Sequence, residues 1–487
     1  MLDLPLSLQR PSRGIPLLSL FWLGVLALML GQLGSLSRVP GPTAAGFVLI
    51  SAFALAPFGL WCAGYAQGIP IFPVSALLYL NTYALPLLSQ NPNVLAYSPA
   101  QQFQAAITAA LFLGGGLLGW LQQARQPDPR RPSFRTITLA QADRLFLQIL
   151  ALGILLNLYI VGGWTWIPAG AFTTIRGIVL GLVYLGVFLL CYRAGRRELP
   201  LPQQYWLLGL LLLYLLVAAM GFVLKQSFTL ATLATMSYLI GGRRAPPLIP
   251  LLLVMAMLMP LHYGKHQMRH KYSSGVTIQP YEIPTYYQEW LGYAGEKLGA
   301  EKEKPAHLRL SSEKDGESIA ERASLIHILM MAQKKIPEPL PYLQGKTYAL
   351  VPQLVMPRAL SPAKLRTHEG THQLNVYVGR QTYNDTLKTT IAWGLLAEAY
   401  ANFGNFGAFG IGAFWGVVYG AISQRAKGCD SFSEPSLTAF LFLSFAIASS
   451  EWTAGVYAAT AFQSMVPIWV IDKLLMKRVI PLRQMTS

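Results

Sequence analysis

Apolar runs of about 20 residues recur along most of the chain, separated by short polar stretches, and each is long enough to cross a bilayer as a helix. The pattern predicts spans at 16–35, 44–66, 70–88, 104–123, 144–161, 174–192, 204–221, 226–241, 247–263, 391–424, 435–452 and 455–475. The 391–424 stretch is long for one crossing, so a re-entrant or tilted piece is expected at its start. The fold class expected is an all-α polytopic membrane protein of about twelve transmembrane helices with one large exterior helical loop. Residues 1–263 would carry spans one to nine, 264–390 the loop subdomain, and 391–487 spans ten to twelve with a tail.

Within the loop the periodicity changes. Residues 283–300 (IPTYYQEWLGYAGEKLGA) have apolar and aromatic spacing suited to an amphipathic helix, which can lie at an interface. Residues 300–318 are polar and mixed in charge, which predicts an exposed connection. In SIAERASLIHILMMAQKKIP, Ser318 precedes Glu321 by a capping-box spacing and Pro337 ends the predicted helix. TYALVPQLVMPRALSPAK is too rich in proline for a long helix.

Composition agrees with the pattern. Hydrophobic residues make up 53% of the chain and charged residues 12%, against about 25% charged in a soluble domain. The net charge of +17 is no sign of nucleic-acid binding, because most basic residues sit in short loops between spans. With the N-terminus inside, eighteen Lys or Arg fall in cytoplasmic segments and three (Arg38, Arg176, Lys225) in short exterior loops. That bias predicts cytoplasmic termini and places 264–390 outside. The three cysteines (Cys62, Cys191, Cys429) show no pairing or metal-binding pattern, so neither a disulfide nor a zinc site is expected. The first apolar run reads as a span rather than a cleaved signal.

Candidate chemistry gathers in the exterior loop. Arg358, Lys364, Arg366 and Arg380 crowd into 354–380 together with His368 and His372, and Arg322 lies upstream. Cations beside an apolar surface suit a ligand with a phosphate head and a lipid tail, since Arg presents a planar fork and Lys a point charge. The plain alternative is contact with anionic headgroups. Lys225 lies where two spans meet, and a charge so near hydrocarbon points to function unless it snorkels. Glu398 and Asn402, four residues apart, share a helix face at the start of a span. A carboxylate there suits a proton acceptor, or else an ion pair with a loop Arg; Glu451 is a weaker instance.

Other patterns carry less. Ser361 and Lys364 spell S-x-x-K without its partner motifs. His262, His266 and His270 share one helix face, more often a solvated face than a metal site. The glycines of NFGNFGAFGIGAFWG read as close helix packing, not a nucleotide loop.

In layout the chain resembles the Wzy-type polysaccharide polymerases of the O-antigen polymerase and ligase superfamily. The likeness lies in ERASLIHILMMAQ with YLQGKTYALVPQLVMPRALSPAK, in LLAEAYANFGNFGAFGIG, and in Lys225, where members commonly carry Arg. The resemblance implies a GT-C-like, metal-independent glycosyltransferase without cofactor, multi-pass in the bacterial inner membrane. Its partners would be a polyprenyl-diphosphate-linked oligosaccharide donor and acceptor, membrane lipids, and flippase and chain-length regulator proteins. Arg358, Lys364, Arg366, Arg380, Arg322 and Lys225 would then meet the diphosphate, with His368, His372 and Glu398 as candidate bases and Asn402 beside them. A ligase or protein O-glycosyltransferase of the same fold, a lipid-linked-sugar flippase and a non-catalytic scaffold are the rival readings. Candidate charges at one face, with no internal repeat, favour chemistry at a surface over alternating access.

Overall fold

Helices cover every stretch that the apolar pattern marks, in a computed structural model that describes residues 17–89, 91–126, 134–221, 224–242, 248–272, 277–303, 324–356, 365–448 and 450–479. Nine helices are long and apolar enough to cross a membrane among the described residues. The chain is thus an all-α polytopic membrane protein, apart from a short antiparallel ribbon pairing Phe134–Thr136 with Lys477–Val479. Three marked stretches are not among the nine. Glu434–Ala448 has only 15 residues. Leu224–Gly242 is diluted by Lys225, Gln226 and a series of Ser and Thr. Leu248–Tyr272 is apolar in its first half and runs past 263 into the predicted loop.

The chain forms two compact units, residues 1–138 with 319–487, and residues 139–318. The segment 264–390 is divided between them.

The first unit is organised by Pro99–Ala124 against Gly394–Ala426. A Cβ at Gly412 would stand 2.0 Å from the Phe112 carbonyl oxygen, and one at Gly416 2.1 Å from that of Gly116. Reciprocally, a Cβ at Gly119 would lie 2.3 Å from the Ala413 oxygen. Small residues let the two backbones touch, the reading expected for this glycine-rich stretch. Gly394–Ala426 is broken at Gly404, whose φ of 68° and ψ of −153° are non-helical. The long tenth stretch therefore does begin with a distinct piece, residues 394–403.

Ile71–Leu88 contains a second irregularity, a π-helical turn at Leu80–Ala84. Pro86 has no N–H, so the Thr82 carbonyl lacks its usual donor four residues on. The Leu325 N–H donates to it instead at 2.8 Å. This bond anchors the start of helix Ile326–Lys335, whose end before Pro337 agrees with the sequence. The proposed Ser318–Glu321 capping box lies outside the described residues, and the described helix has no side-chain N-cap bond. Proline also limits the following stretch to a 3₁₀ turn, Tyr348–Leu350, and the short helix Val351–Val355.

In the second unit, Ile283–Glu303 forms the expected amphipathic helix and packs on Leu248–Tyr272. Gly264 permits the approach, since a Cβ there would sit 2.6 Å from the Trp290 oxygen. The Trp290 indole N–H donates to the Leu261 carbonyl at 2.8 Å. Asp143 and Arg193 form a buried ion pair between Leu139–Val161 and Ala169–Gly195.

Candidate functional site

Glu398 and Asn402 do share a helix face, and both are fully buried in the first unit. Asn402 is saturated. Its amide donates to the Glu398 carbonyl and to the Thr347 hydroxyl, each at 2.9 Å, and its oxygen accepts the Gly345 N–H at 3.1 Å. With backbone bonds from Leu343 to Ala401 and from Gln344 to Asn402, it pins the turn 343–347 against the helix. Asn402 is a positioning residue for that turn.

Glu398 is held differently. Its Oε2 accepts the backbone N–H of Ala454 at 2.6 Å, at the start of helix Ala454–Leu475. Thr453 occupies the N-cap position without capping, because its hydroxyl bonds that of Thr371 at 3.0 Å. The carboxylate thus replaces the usual local cap and sits where the helix dipole favours negative charge. Its Oε1 is buried and makes no well-formed hydrogen bond among the described residues, although the Thr347 hydroxyl lies close enough to act on the carboxyl. The expected alternative, an ion pair with a loop Arg, is not what holds it among the described residues.

Three segments distant in sequence converge here: the turn with Thr347, helix Glu369–Tyr377 through Thr371, and the helix start at Thr453–Ala454. Gly370 faces Thr347, with 3.8 Å from its would-be Cβ to the Thr347 Cβ. Asn375 receives the Trp393 indole N–H at 2.9 Å and donates to the Ile391 carbonyl, fastening helix Glu369–Tyr377 to the chain leading into Gly394. Gly394 needs its φ of 80° and its lack of a side chain, since a Cβ would lie 2.9 Å from the Ser450 oxygen. The Tyr83 hydroxyl from the π-helical segment is 3.5 Å from that same point.

Several polar atoms of these packed segments are buried without a hydrogen-bond partner among the described residues, which in a native protein calls for an explanation. They are Glu398 Oε1, the hydroxyls of Tyr348 and Tyr83, and His372 Nδ1. Burial, and then the Glu398 charge, raise the Tyr348 pKa well above its ordinary value, so the phenol is a donor. Its ring stacks on Phe403 at 5.8 Å.

The two candidate histidines lie together, rings 6.3 Å apart. His372 is buried, with Nε2 bonded to the Thr390 hydroxyl at 3.0 Å. Burial lowers its pKa, with Arg366 and His368 pushing the same way and Glu369 opposing. His368 is exposed at the N-cap of Glu369–Tyr377, yet crowding by protein still lowers its pKa.

The cations divide. Arg366 pairs with Glu369 at 3.4 Å and lies over the Tyr383 ring at 5.5 Å. Arg380 stands near Tyr97 and His327, and burial followed by that guanidinium lowers the His327 pKa to about 4. Arg358, Lys364 and Arg322 lie outside the described residues. Lys225 belongs to Leu224–Gly242 in the other unit, and its side chain is likewise outside them. Thr347, Thr371, Thr453, Tyr348 and Tyr83 went unmarked by the sequence, where isolated Thr and Tyr carry no signal; only Pro86 hinted at the irregular turn.

No family model, no curated protein and no solved structure matches this chain.

Proposed function

We propose that the protein is a glycosyltransferase that polymerises polyprenyl-diphosphate-linked oligosaccharide repeat units at the outer face of the bacterial inner membrane. The observation that carries this reading is the Glu398 carboxylate, buried and aligned by Ala454 through one oxygen while the other has no well-formed bond among the described residues. A base needs this combination of fixed orientation and an open acceptor.

In the reaction, the acceptor sugar hydroxyl gives its proton to Glu398 and its oxygen attacks the anomeric carbon of the donor glycan. The bond from that carbon to the diphosphate oxygen breaks, and polyprenyl diphosphate leaves with the bonding pair. Negative charge grows on the leaving group, so cations near it stabilise the transition state. Arg366 and Arg380 are the described cations this reading assigns to that role, with Arg380 taken first because it stands near Tyr97 and His327 in the exterior-segment cluster. His368 and His372 are the other candidate bases. Asn402 holds the turn 343–347 beside Glu398. The reading includes twelve crossings, cytoplasmic termini and an exterior 264–390 segment, which the Lys/Arg distribution supports.

Reporter fusions at residues 310 and 428 test sidedness. Opposite compartments, with 310 outside, are expected; a cytosolic 310 would remove the proposal. A purified preparation given a lipid-linked oligosaccharide should lengthen it after exhaustive chelation, and strict dependence on added metal would contradict the mechanism.

A further inference from the structure

The second unit contains a small pocket, open to the outside, lined by four of its helices, Leu139–Val161, Ala169–Gly195, Leu201–Ala219 and Leu224–Gly242. All four contribute from one end, opposite the basic turn Arg193–Arg197. Its lining combines apolar side chains, Ile160 and Leu180 among them, with Arg176, Asn157, Tyr214 and Gln226.

The polar side chains are pre-arranged. The Gln226 amide donates to the Tyr214 hydroxyl at 3.1 Å, Tyr214 also bonds Asn157, and the Asn157 amide donates to the Gly153 carbonyl at 2.9 Å. Arg176 makes no ion pair among the described residues, although it lies on a helix that includes a membrane-spanning window. Arg176 is exposed near the start of that span, where a guanidinium at the edge of the hydrocarbon can meet an anionic group from outside the fold. Ile160 and Ile175, each 39% exposed, flank the pocket on the lipid-facing surface.

A free inorganic anion gains nothing from the apolar lining, and a neutral lipid leaves Arg176 unanswered. We propose that Arg176, in a pocket it lines with Asn157, Tyr214, Gln226 and the apolar side chains of Leu180 and Ile160, binds the phosphate headgroup of an anionic lipid entering sideways from the outer leaflet. This goes beyond the catalytic reading, concerns the other unit and does not depend on it.

Native mass spectrometry of the full chain, purified with defined lipids, tests the assignment. Three arms supply phosphatidylglycerol, phosphatidylcholine or a polyprenyl phosphate, so that a bilayer lipid and an isoprenoid are told apart. The wild type should retain one anionic lipid in preference to phosphatidylcholine. Arg176→Gln should lower that retention on the order of fivefold to tenfold, the scale of one basic residue meeting a lipid phosphate. Leu180→Trp keeps Arg176 but fills the pocket, and should lower retention as well. Equal retention of anionic and zwitterionic lipids by the wild type, or undiminished retention in either variant, would overturn the proposal, as would displacement of the lipid by inorganic phosphate at equal concentration.

Discussion

The side chain of Glu398 caps a helix 56 residues further along the chain, accepting the Ala454 N–H at 2.6 Å. The carboxylate therefore has a structural duty through Oε2, while Oε1 makes no well-formed hydrogen bond among the described residues, and substitution can separate a capping role from the proposed chemical one. Glu398→Gln retains an oxygen for Ala454 and should fold and insert normally, while losing turnover by about 10²–10⁴-fold if Glu398 is the base. Glu398→Ala also strands a buried N–H, and should lower stability by about 1–3 kcal/mol. Thermal unfolding in detergent beside a turnover assay distinguishes the variants; equal activity in Glu398→Gln and wild type would leave only the capping role.

Asn402→Leu should loosen the turn 343–347 and remove the bond to the Glu398 carbonyl, while every candidate acid, base and cation keeps its own side chain. The hydroxyl of Thr347 and the N–H of Gly345 would both lose their partner. The expected result is faster proteolysis near 343–347 and a loss of about 1–3 kcal/mol, measured by limited digestion and thermal unfolding. Unchanged digestion would contradict the positioning role.

Gly412→Leu and Gly416→Leu should separate Pro99–Ala124 from Gly394–Ala426. Their Cβ atoms would fall 2.0 Å and 2.1 Å from carbonyl oxygens that belong to backbone and cannot rotate away. Overpacking of this kind costs at least about 1–3 kcal/mol. Gly410→Leu on the same helix meets nothing within 4 Å and should be tolerated. Expression level and monodispersity of the three variants decide the matter.

His327 should make the helix Ile326–Lys335 acid-sensitive. Burial first, and Arg380 second, lower its pKa from an ordinary 6.5 to about 4. The folded protein keeps the ring neutral while the unfolded chain takes up a proton, so stability is complete above pH 6.5 and falls as the pH drops toward 4. His327→Gln should flatten that dependence, as read from protease resistance of residues 324–356 across the range. An equally steep loss in the variant would assign the sensitivity elsewhere.

The membrane-spanning framework was legible because hydrocarbon imposes a length and a composition that few other structures need, and each marked stretch is helical. Glycine spacing in 402–416 likewise foretold close packing, and Gly404 accounts for the excess length of that stretch. The site was legible only in part. Glu398 and Asn402 stood out as polar residues at a span, but Thr347, Thr371 and Thr453 meet them through contacts as far as 82 residues apart, as between Thr371 and Thr453. No local periodicity encodes such a meeting. The crowd of basic residues in 354–380 suggested one shared anion, whereas Arg366 is committed to Glu369 and Arg380 stands beside His327. Local charge density could not reveal that the strand of chain between them folds as a helix with separate neighbours on its two flanks.

The most direct measurement of the central claim is a single-turnover experiment with a polyprenyl-diphosphate oligosaccharide, comparing wild type, Glu398→Gln and Arg380→Ala in the same membrane preparation. The account predicts chain extension by the wild type, donor binding without extension by Glu398→Gln, and loss of both binding and extension in Arg380→Ala. Extension at the wild-type rate by Glu398→Gln and Arg380→Ala, or none by correctly inserted wild type, would contradict it.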